Sequence, residues 1–584
     1  MKQFYRPIKN VFLVLAVVVI SFSCETNKKS KSNESDLIHF IETFQDHKGY
    51  DRDKYPLGLF AEEYYKNEAE FAQKLLDSLS GISAEGLSET NQISLELLRF
   101  RLQETINQFQ FEAYLNPLLS DSGFHSNLNY QVGSFSNYKD VKDYLEKLKA
   151  IPVFVDQHFE LLRKGMGKGI VQPRVIFKGY ESTYEMHITE EYESNFFYSP
   201  FKSLPNDLTE QQKDSVLIVA QKLVDSVVVP QFKRIKEFFE TEYLPNAPEI
   251  IGVSNQPNGL DYYQNRINYY TTSTQYTADD IHKIGLEEVS RIKSEMEQII
   301  SDLGFEGSFD DFFHFLRTDP QFYATSPREL LMIARDMAKR VDAQLPRYFL
   351  TLPRKPYGVA PVPDAIAPKY TGGRYVGTSK DSKEPGYYWV NTYDLPSRTL
   401  YTLPSLTVHE AVPGHHLQGA LNNELGDSIP KFRRNMYLSA YGEGWGLYCE
   451  YLAEEMGMYT TPYEKFGQLT YEMWRACRLV VDTGIHAKGW TRDQVVEFMS
   501  KNTALSLHEI NTETDRYISW PGQAISYKIG ELKIRELRKK AEEYLGSDFD
   551  IRKFHEVILE QGTVTLPILE KRVLAYIQKA NNKE

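Results

Sequence analysis

HEAVPGHHLQ, residues 409–418, opens like the zinc-hydrolase signature H-E-x-x-H. Where the second histidine is due, however, it has Pro413, and His415 and His416 follow. Pro404-Ser405 precedes an apolar-periodic run, so a helix with Ser405 as its N-cap is expected to carry His409 and Glu410. In a regular helix, residues four apart share a face and lie about 6 Å apart along the axis, which lets two imidazoles reach one metal. His415 is six residues after His409 and would sit about 240° around. His416, seven residues on, would be in line but about 10.5 Å up the axis. A straight helix does not build this site. Proline lacks an N–H and clashes with the preceding turn, and Gly414 tolerates the dihedrals that result. If Pro413-Gly414 loops out, His415 returns to the place of an i+4 ligand. The expectation is therefore His409 and His415 on a metal, with His416 beside them contacting substrate or supporting the site. Glu410 is the general base toward the water that such a metal activates.

An open catalytic zinc site takes three protein ligands. AYGEGWGLYCEYLAEEMG, residues 440–457, reads as a helix yet contains Gly442, Gly444 and Gly446. Each glycine costs about 1 kcal/mol against alanine in a helix interior. Close approach of another backbone would offset that. Glu443, between two of these glycines, is the expected third ligand, and Glu450, seven residues on, is expected to orient a ligand histidine.

Most of the chain has helical periodicity, as in NQISLELLRFRLQETINQF and ADDIHKIGLEEVSRIKSEMEQIISDLG, the latter capped by Thr277. Strand signals concentrate between about residues 357 and 394, in KYTGGRYVGT and GYYWVNTYD, just upstream of His409. The fold class is therefore mostly α with one small β element next to the metal-binding helix. GYYWVNTYD is expected to be an edge strand that pairs with a peptide main chain, with Asn391 or Tyr393 touching substrate. In MWRACRLVVDTGIHAKGW, Arg478, Asp482 and His486 fall four apart on one helical face. Among apolar neighbours they are expected to form a buried, mutually satisfied network that supports Glu443 or holds a substrate terminus through Arg478. RYISWPGQAISYKIG offers hydroxyls for the oxyanion that forms on carbonyl attack, Tyr527 first and Tyr517 second. His555 reads as a core or surface histidine.

The chain has 584 residues and a net charge of -13. Lys2, Arg6 and Lys9 precede the apolar run VFLVLAVVVI, and small residues then lead to Cys24. This reads as a lipoprotein signal peptide over residues 1–23, with Cys24 lipidated and residues 24–36 a flexible tether. Its removal takes three positive charges and leaves -16, which argues against a general nucleic-acid surface. Cys449 and Cys477 read as buried thiols or a single disulfide, and a four-cysteine metal site is excluded by count. Residues 37–250 read as an N-terminal helical part and 251–584 as the zinc-binding part, both within one family domain.

HEAVPGHHLQ, EGWGLY, PGQAISYKIG and FHEVILEQG, with YYQNRINYYTT and DTGIHAKGW, resemble the bacterial family labelled domain of unknown function 885, whose members are predicted zinc peptidases related to the gluzincins. The resemblance implies a large helical gluzincin-like fold with a deep cleft, zinc on His409, His415 and Glu443, and Glu410 as base. Gly446 stands where such runs usually have alanine, a departure expected to affect packing only. The resulting expectation is a zinc-dependent peptidase acting on peptides, lipid-anchored in the bacterial cell envelope and facing the periplasm or exterior. The rival readings are a zinc amidase for a non-protein amide such as a cell-wall fragment, and a non-catalytic peptide-binding lipoprotein.

Overall fold

The computed structural model describes residues 33–581 except 365, 380 and 381. The expected signal peptide and Cys24 lie outside the described residues. Residues 33–36, expected at the end of the tether, already form the first turn of a helix over 33–46. Leu37 and Ile41 bury that helix against Leu75, Leu79 and Leu98, and Asn91 Nδ2 donates to Glu34 Oε1 at 2.6 Å, so order extends one turn upstream.

The architecture is mostly α with one three-stranded sheet. The N-terminal half contributes helices Glu62–Ser80, Glu89–Gln110 and Tyr138–Lys168, then a continuous helical rod over Glu210–Asn246. The rod's apolar composition would let it cross a membrane by length, but here Val224, Val228, Phe232, Ile235 and Phe239 are fully buried in protein. One apolar cluster joins Tyr144 and Phe232 to Met473, Val481 and Tyr517, so both halves share a core. Each such side chain contributes about 1.5–3 kcal/mol on burial.

The elements that build the site come from the C-terminal half. In chain order they are helices α1 (Gly259–Tyr270) and α2 (Ala278–Asp302), strands β1 (Tyr357–Pro361), β2 (Gly373–Val376) and β3 (Gly386–Val390), and helices α3 (Leu403–Glu410), α4 (His415–Asn423), α5 (Ser439–Glu455), α6 (Pro462–Lys488), α7 (Leu507–Ser519) and α8 (Ser526–Leu545). The expected Thr277 cap of α2 is present, its hydroxyl accepting from Asp280 N. α6 is the central post. A Thr461–Glu464 capping box starts it, left-handed Gly489 ends it, and it is buried nearly all round. It packs against α2 and α3, while α5 packs along α8. A buried ion cluster holds α8 in place: Lys528 Nζ lies 2.7 Å from Glu472 of α6, 2.8 Å from Glu531 and 3.0 Å from Glu288 of α2. Removing one member would strand charges in the core, at a cost of about 3–5 kcal/mol.

The sheet order is β1-β3-β2, with β1 parallel and β2 antiparallel to β3. This corrects the edge-strand expectation. GYYWV forms the central strand, both of its edges are paired, and Tyr388 and Val390 are buried, so it has no free edge for a peptide. The free edge beside the histidines belongs to β2.

Candidate metal centre

Helix α3 starts after Thr402, with Pro404 in its first turn. Ser405 is therefore inside the helix rather than its cap, and its hydroxyl bonds Tyr459 Oη at 3.1 Å. α3 stops at Glu410, the chain loops through Ala411-Val412-Pro413-Gly414, and α4 begins at His415. The loop folds tightly under the helix end: Gly414 N donates to Val408 O at 2.9 Å, and a Cβ on Gly414 would overlap the His409 carbonyl. Trp445 of α5 donates its Nε1–H to Pro413 O at 2.9 Å and locks the loop from the other side.

The break brings His415 to His409, with ring centres 4.7 Å apart. Glu443 Oε2 lies 3.5 Å from His409 Nε2 and 3.4 Å from His415 Nε2, and the ligand atoms of the three residues all fall within 4.8 Å of one another. His416 is turned away. It is buried, its Nδ1 meets Tyr375 Oη at 3.2 Å, its ring packs on Tyr357, and burial pushes it down to about 4. The histidine beside the break, not the next one, joins the cluster.

Glu443 reaches the cluster because α5 lies close to α8. A Cβ on Gly444 would be 2.6 Å from the backbone of Gly530 on α8, so the glycines permit contact between two main chains. Gly446 does more than pack: a Cβ there would meet the His409 ring at 2.7–3.0 Å, so the departure from alanine touches an expected ligand.

Glu450, wholly buried, accepts from His409 Nδ1 at 2.7 Å and leaves Nε2 facing Glu443. Arg475 Nη2 is 3.6 Å from the same carboxylate. Burial alone would push His409 down and Glu443 up. Their hydrogen bonds and charges outweigh it, taking His409 up to about 10 and Glu443 well below the usual carboxylate range. Two carboxylates around one imidazole, with Glu410 beside them, form an acidic pocket for a cation. Three ligand atoms at zinc distances of about 2.0–2.1 Å in a tetrahedral arrangement stand roughly 3.3 Å apart. The observed 3.4 and 3.5 Å are near that spacing, the remaining separation lies within 4.8 Å, and a His-His-Glu donor set suits such an ion.

Glu410 Oε2 accepts from Tyr375 N of β2 at 2.8 Å. Tyr437 donates its hydroxyl to Glu443 Oε1 at 2.7 Å, and Tyr527 stands in the first turn of α8, which packs along α5. Tyr437 and Tyr375 have no distinguishing sequence signal among 39 tyrosines.

A sequence profile described as "bacterial protein of unknown function (DUF885)" matches residues 44–573. The chain belongs to the DUF885 family. This DUF885 chain is similar in structure to a "putative lipoprotein" from Colwellia psychrerythraea, with TM-score 0.85 and 28% identity over 94% of this chain and 100% of that one. A "putative lipoprotein of unknown function" from Shewanella oneidensis shares the fold, with TM-score 0.65 and 17% identity over 94% of this chain and 99% of its own. No curated protein matches the sequence.

Most of the other expected site residues of the DUF885 chain make buried contacts within the fold. Asn391 is buried: its Nδ2 donates to the carbonyls of Ala367, Tyr370 and Thr371, and its Oδ1 accepts from Tyr393 N, which ties up the loop beside β3. Tyr393 itself is half-exposed. Tyr517 is 1% exposed, and its hydroxyl accepts from Trp474 Nε1 and Arg478 Nε, both at 2.9 Å, so it faces the core rather than a substrate. Arg478, Asp482 and His486 share the buried face of α6 but do not bond one another. Arg478 pairs with Glu513 at 3.0 Å, Asp482 accepts from Tyr263 Oη at 2.6 Å, and His486 lies between Val253 N and Tyr517 O. None of the three appears among the partners of Glu443, which are His409, His415 and Tyr437. Arg478 and His486 both find partners on α7 and Asp482 finds one on α1, which periodicity alone does not reveal. His555 is a core histidine between Tyr448 Oη and Tyr348 O, and Cys449 and Cys477 are buried free thiols.

Proposed function

We propose that this chain is a gluzincin-like, zinc-dependent peptidase, attached to the bacterial cell envelope by a lipid on Cys24 and facing the periplasm or exterior. The observation that supports it is the convergence of His409 Nε2, His415 Nε2 and Glu443 Oε2 beside the carboxylate of Glu410. A binding module has no need of a base next to three such ligands. The lipid anchor is supported by the residues leading to Cys24 and by the description of both structural relatives as lipoproteins.

His409, His415 and Glu443 would hold the zinc, and Glu450 keeps His409 in the tautomer that points Nε2 at it. When bound, the ion supplies Lewis acidity, acidifying water and polarising the scissile carbonyl. Glu410, steadied through Oε2 by Tyr375 N, takes the proton of the attacking water and returns it to the leaving amine. Tyr527 donates to the oxyanion, with Tyr437, whose hydroxyl bonds Glu443, as the second candidate. An extended peptide lies along β2, the free edge of the sheet next to Glu410.

Metal analysis paired with digestion of a peptide library tests this reading, with Glu410→Gln as the control. The expected result is about one zinc per chain, peptide cleavage by the wild type, and loss of turnover but not of zinc in Glu410→Gln. Cleavage that survives Glu410→Gln overturns the mechanism. Cleavage of muropeptides but not of peptides would turn the reading to an amidase.

A further inference from the structure

We infer that the arginine pair Arg478–Arg516 beside Tyr527 is a subsite for the free C-terminal carboxylate of the substrate, so that the enzyme acts from the carboxyl end of peptides. This inference rests on the peptidase reading for the word enzyme, but the carboxylate site stands on its own residues.

The guanidinium of Arg478 projects from α6 between two aromatic rings, 4.3 Å from the centre of Trp474 and 4.6 Å from that of Tyr527. It is 3% exposed. Its Nε donates to Tyr517 Oη at 2.9 Å and one terminal nitrogen donates to Glu513 Oε2 at 3.0 Å. The other, Nη1, is buried with no acceptor among the described residues. An unmet N–H of a buried cation is costly, and an incoming acceptor would satisfy it.

Arg516 stands on α7, across Glu513 from Arg478. Its Nη1 is 3.2 Å from Glu513 Oε2, the oxygen that Arg478 also uses, and it also bonds Gln523 and the Tyr527 hydroxyl. Two guanidiniums thus share one carboxylate oxygen. Desolvation and the charge of Glu513 raise the carboxyl of Glu509, the next acid on α7, while Arg398 lowers it. Planar guanidiniums with spare donors match a carboxylate in charge and shape.

The pair is connected to the metal centre. Tyr527 carries Arg478 on its ring and stands in the first turn of α8, where Ser526 Oγ meets Ser439 Oγ of α5 at 2.7 Å, and α5 carries Glu443. In this proposal the terminal carboxylate of the peptide meets the arginines while its scissile carbonyl lies at the metal centre. Free peptides and carboxyl-terminal fragments of proteins have this group, while amidated peptides lack it.

The test is calorimetric binding of N-acetyl-trialanine, as free acid and as amide, to the zinc-loaded chain carrying Glu410→Gln. The free acid is expected to bind at least ten-fold more tightly. Adding Arg516→Gln should erase that preference, whereas adding Glu513→Gln, which frees both arginines, should increase it. Equal affinity for acid and amide overturns the subsite, as does a preference that persists in Arg516→Gln, since the carboxylate would then be held elsewhere. If Arg516→Gln does not fold, the Glu513→Gln arm decides, and an unchanged or weakened preference there overturns the proposal. A preference with the expected responses, in a wild-type chain that cleaves no peptide, would leave the subsite standing and overturn the peptidase reading instead.

Discussion

His409 Nδ1 and Glu450 Oε1 are 2.7 Å apart in a pocket closed to solvent. The contact fixes which imidazole nitrogen faces Glu443 and His415. Glu450→Gln keeps the shape but removes the charge that favours a proton on Nδ1. Such a change in a carboxylate behind a ligand histidine costs about 10–100-fold in metal affinity. Competition against a chelator should therefore show zinc affinity reduced by that factor, with the helical circular dichroism unchanged. An unaltered affinity would mean that Glu450 is there for packing alone.

Gly444 and Gly446 are two residues apart on α5 and should fail differently. A methyl on Gly444 meets the backbone of Gly530 at 2.6 Å, and backbone cannot yield cheaply. Gly444→Ala should push α5 from α8 and lower stability by about 1–3 kcal/mol, read as a fall in Tm. A methyl on Gly446 meets the His409 ring instead, so Gly446→Ala should act on zinc affinity, by about ten-fold or less, with little change in the Tm of the metal-free chain. The same response from both variants would show that helix packing, not the ring, limits position 446.

Tyr527→Phe should lower kcat by about 10²–10³ with the zinc content unchanged, the usual cost of one lost oxyanion donor. Single-turnover rates on a peptide library hit check this. If kcat holds in Tyr527→Phe and falls in Tyr437→Phe, the donor is the tyrosine that bonds Glu443.

That His409, His415 and Glu443 come together was legible because the parts of the pattern are rare in combination. A proline-glycine break after H-E has one geometric use, and three glycines in a helix ask for a close neighbour. Both inferences concern local backbone chemistry, which a sequence carries directly. Partner choice across the fold is a different matter. The aromatic run 386–390 reads as strand from its residues, but whether it is central or at an edge depends on β1 and β2, up to about thirty residues away. Asn391 reads as a substrate contact only if its strand is a free edge, yet three carbonyls of the loop over 367–371 use its amide. Tyr437 was invisible because only the fold places its hydroxyl on Glu443.

Buried histidines and a buried aspartate should give the stability of this chain a two-sided pH dependence. Burial pushes His125 and His555 down to about 3, and His158, His187 and His486 down to about 4, from an ordinary 6.5. Between pH 6.5 and those values the unfolded chain binds protons that the native chain refuses, so stability is full above pH 6.5 and is lost as pH falls toward 4. Asp482 has the opposite sign. Burial raises its carboxyl to about 7, against the lowering effect of its hydrogen bonds from Tyr263 and Gly522. Between pH 3.8 and 7 the native chain keeps a proton that the unfolded chain gives up, so this group's contribution is greatest below pH 3.8 and declines as pH rises to 7. Asp482→Asn retains an acceptor for the Tyr263 hydroxyl and cannot ionise. Measured by thermal unfolding, its Tm relative to wild type should climb from pH 4 to pH 7 and then level off. A difference that stays flat across that range would mean that Asp482 is ionised in the folded protein throughout.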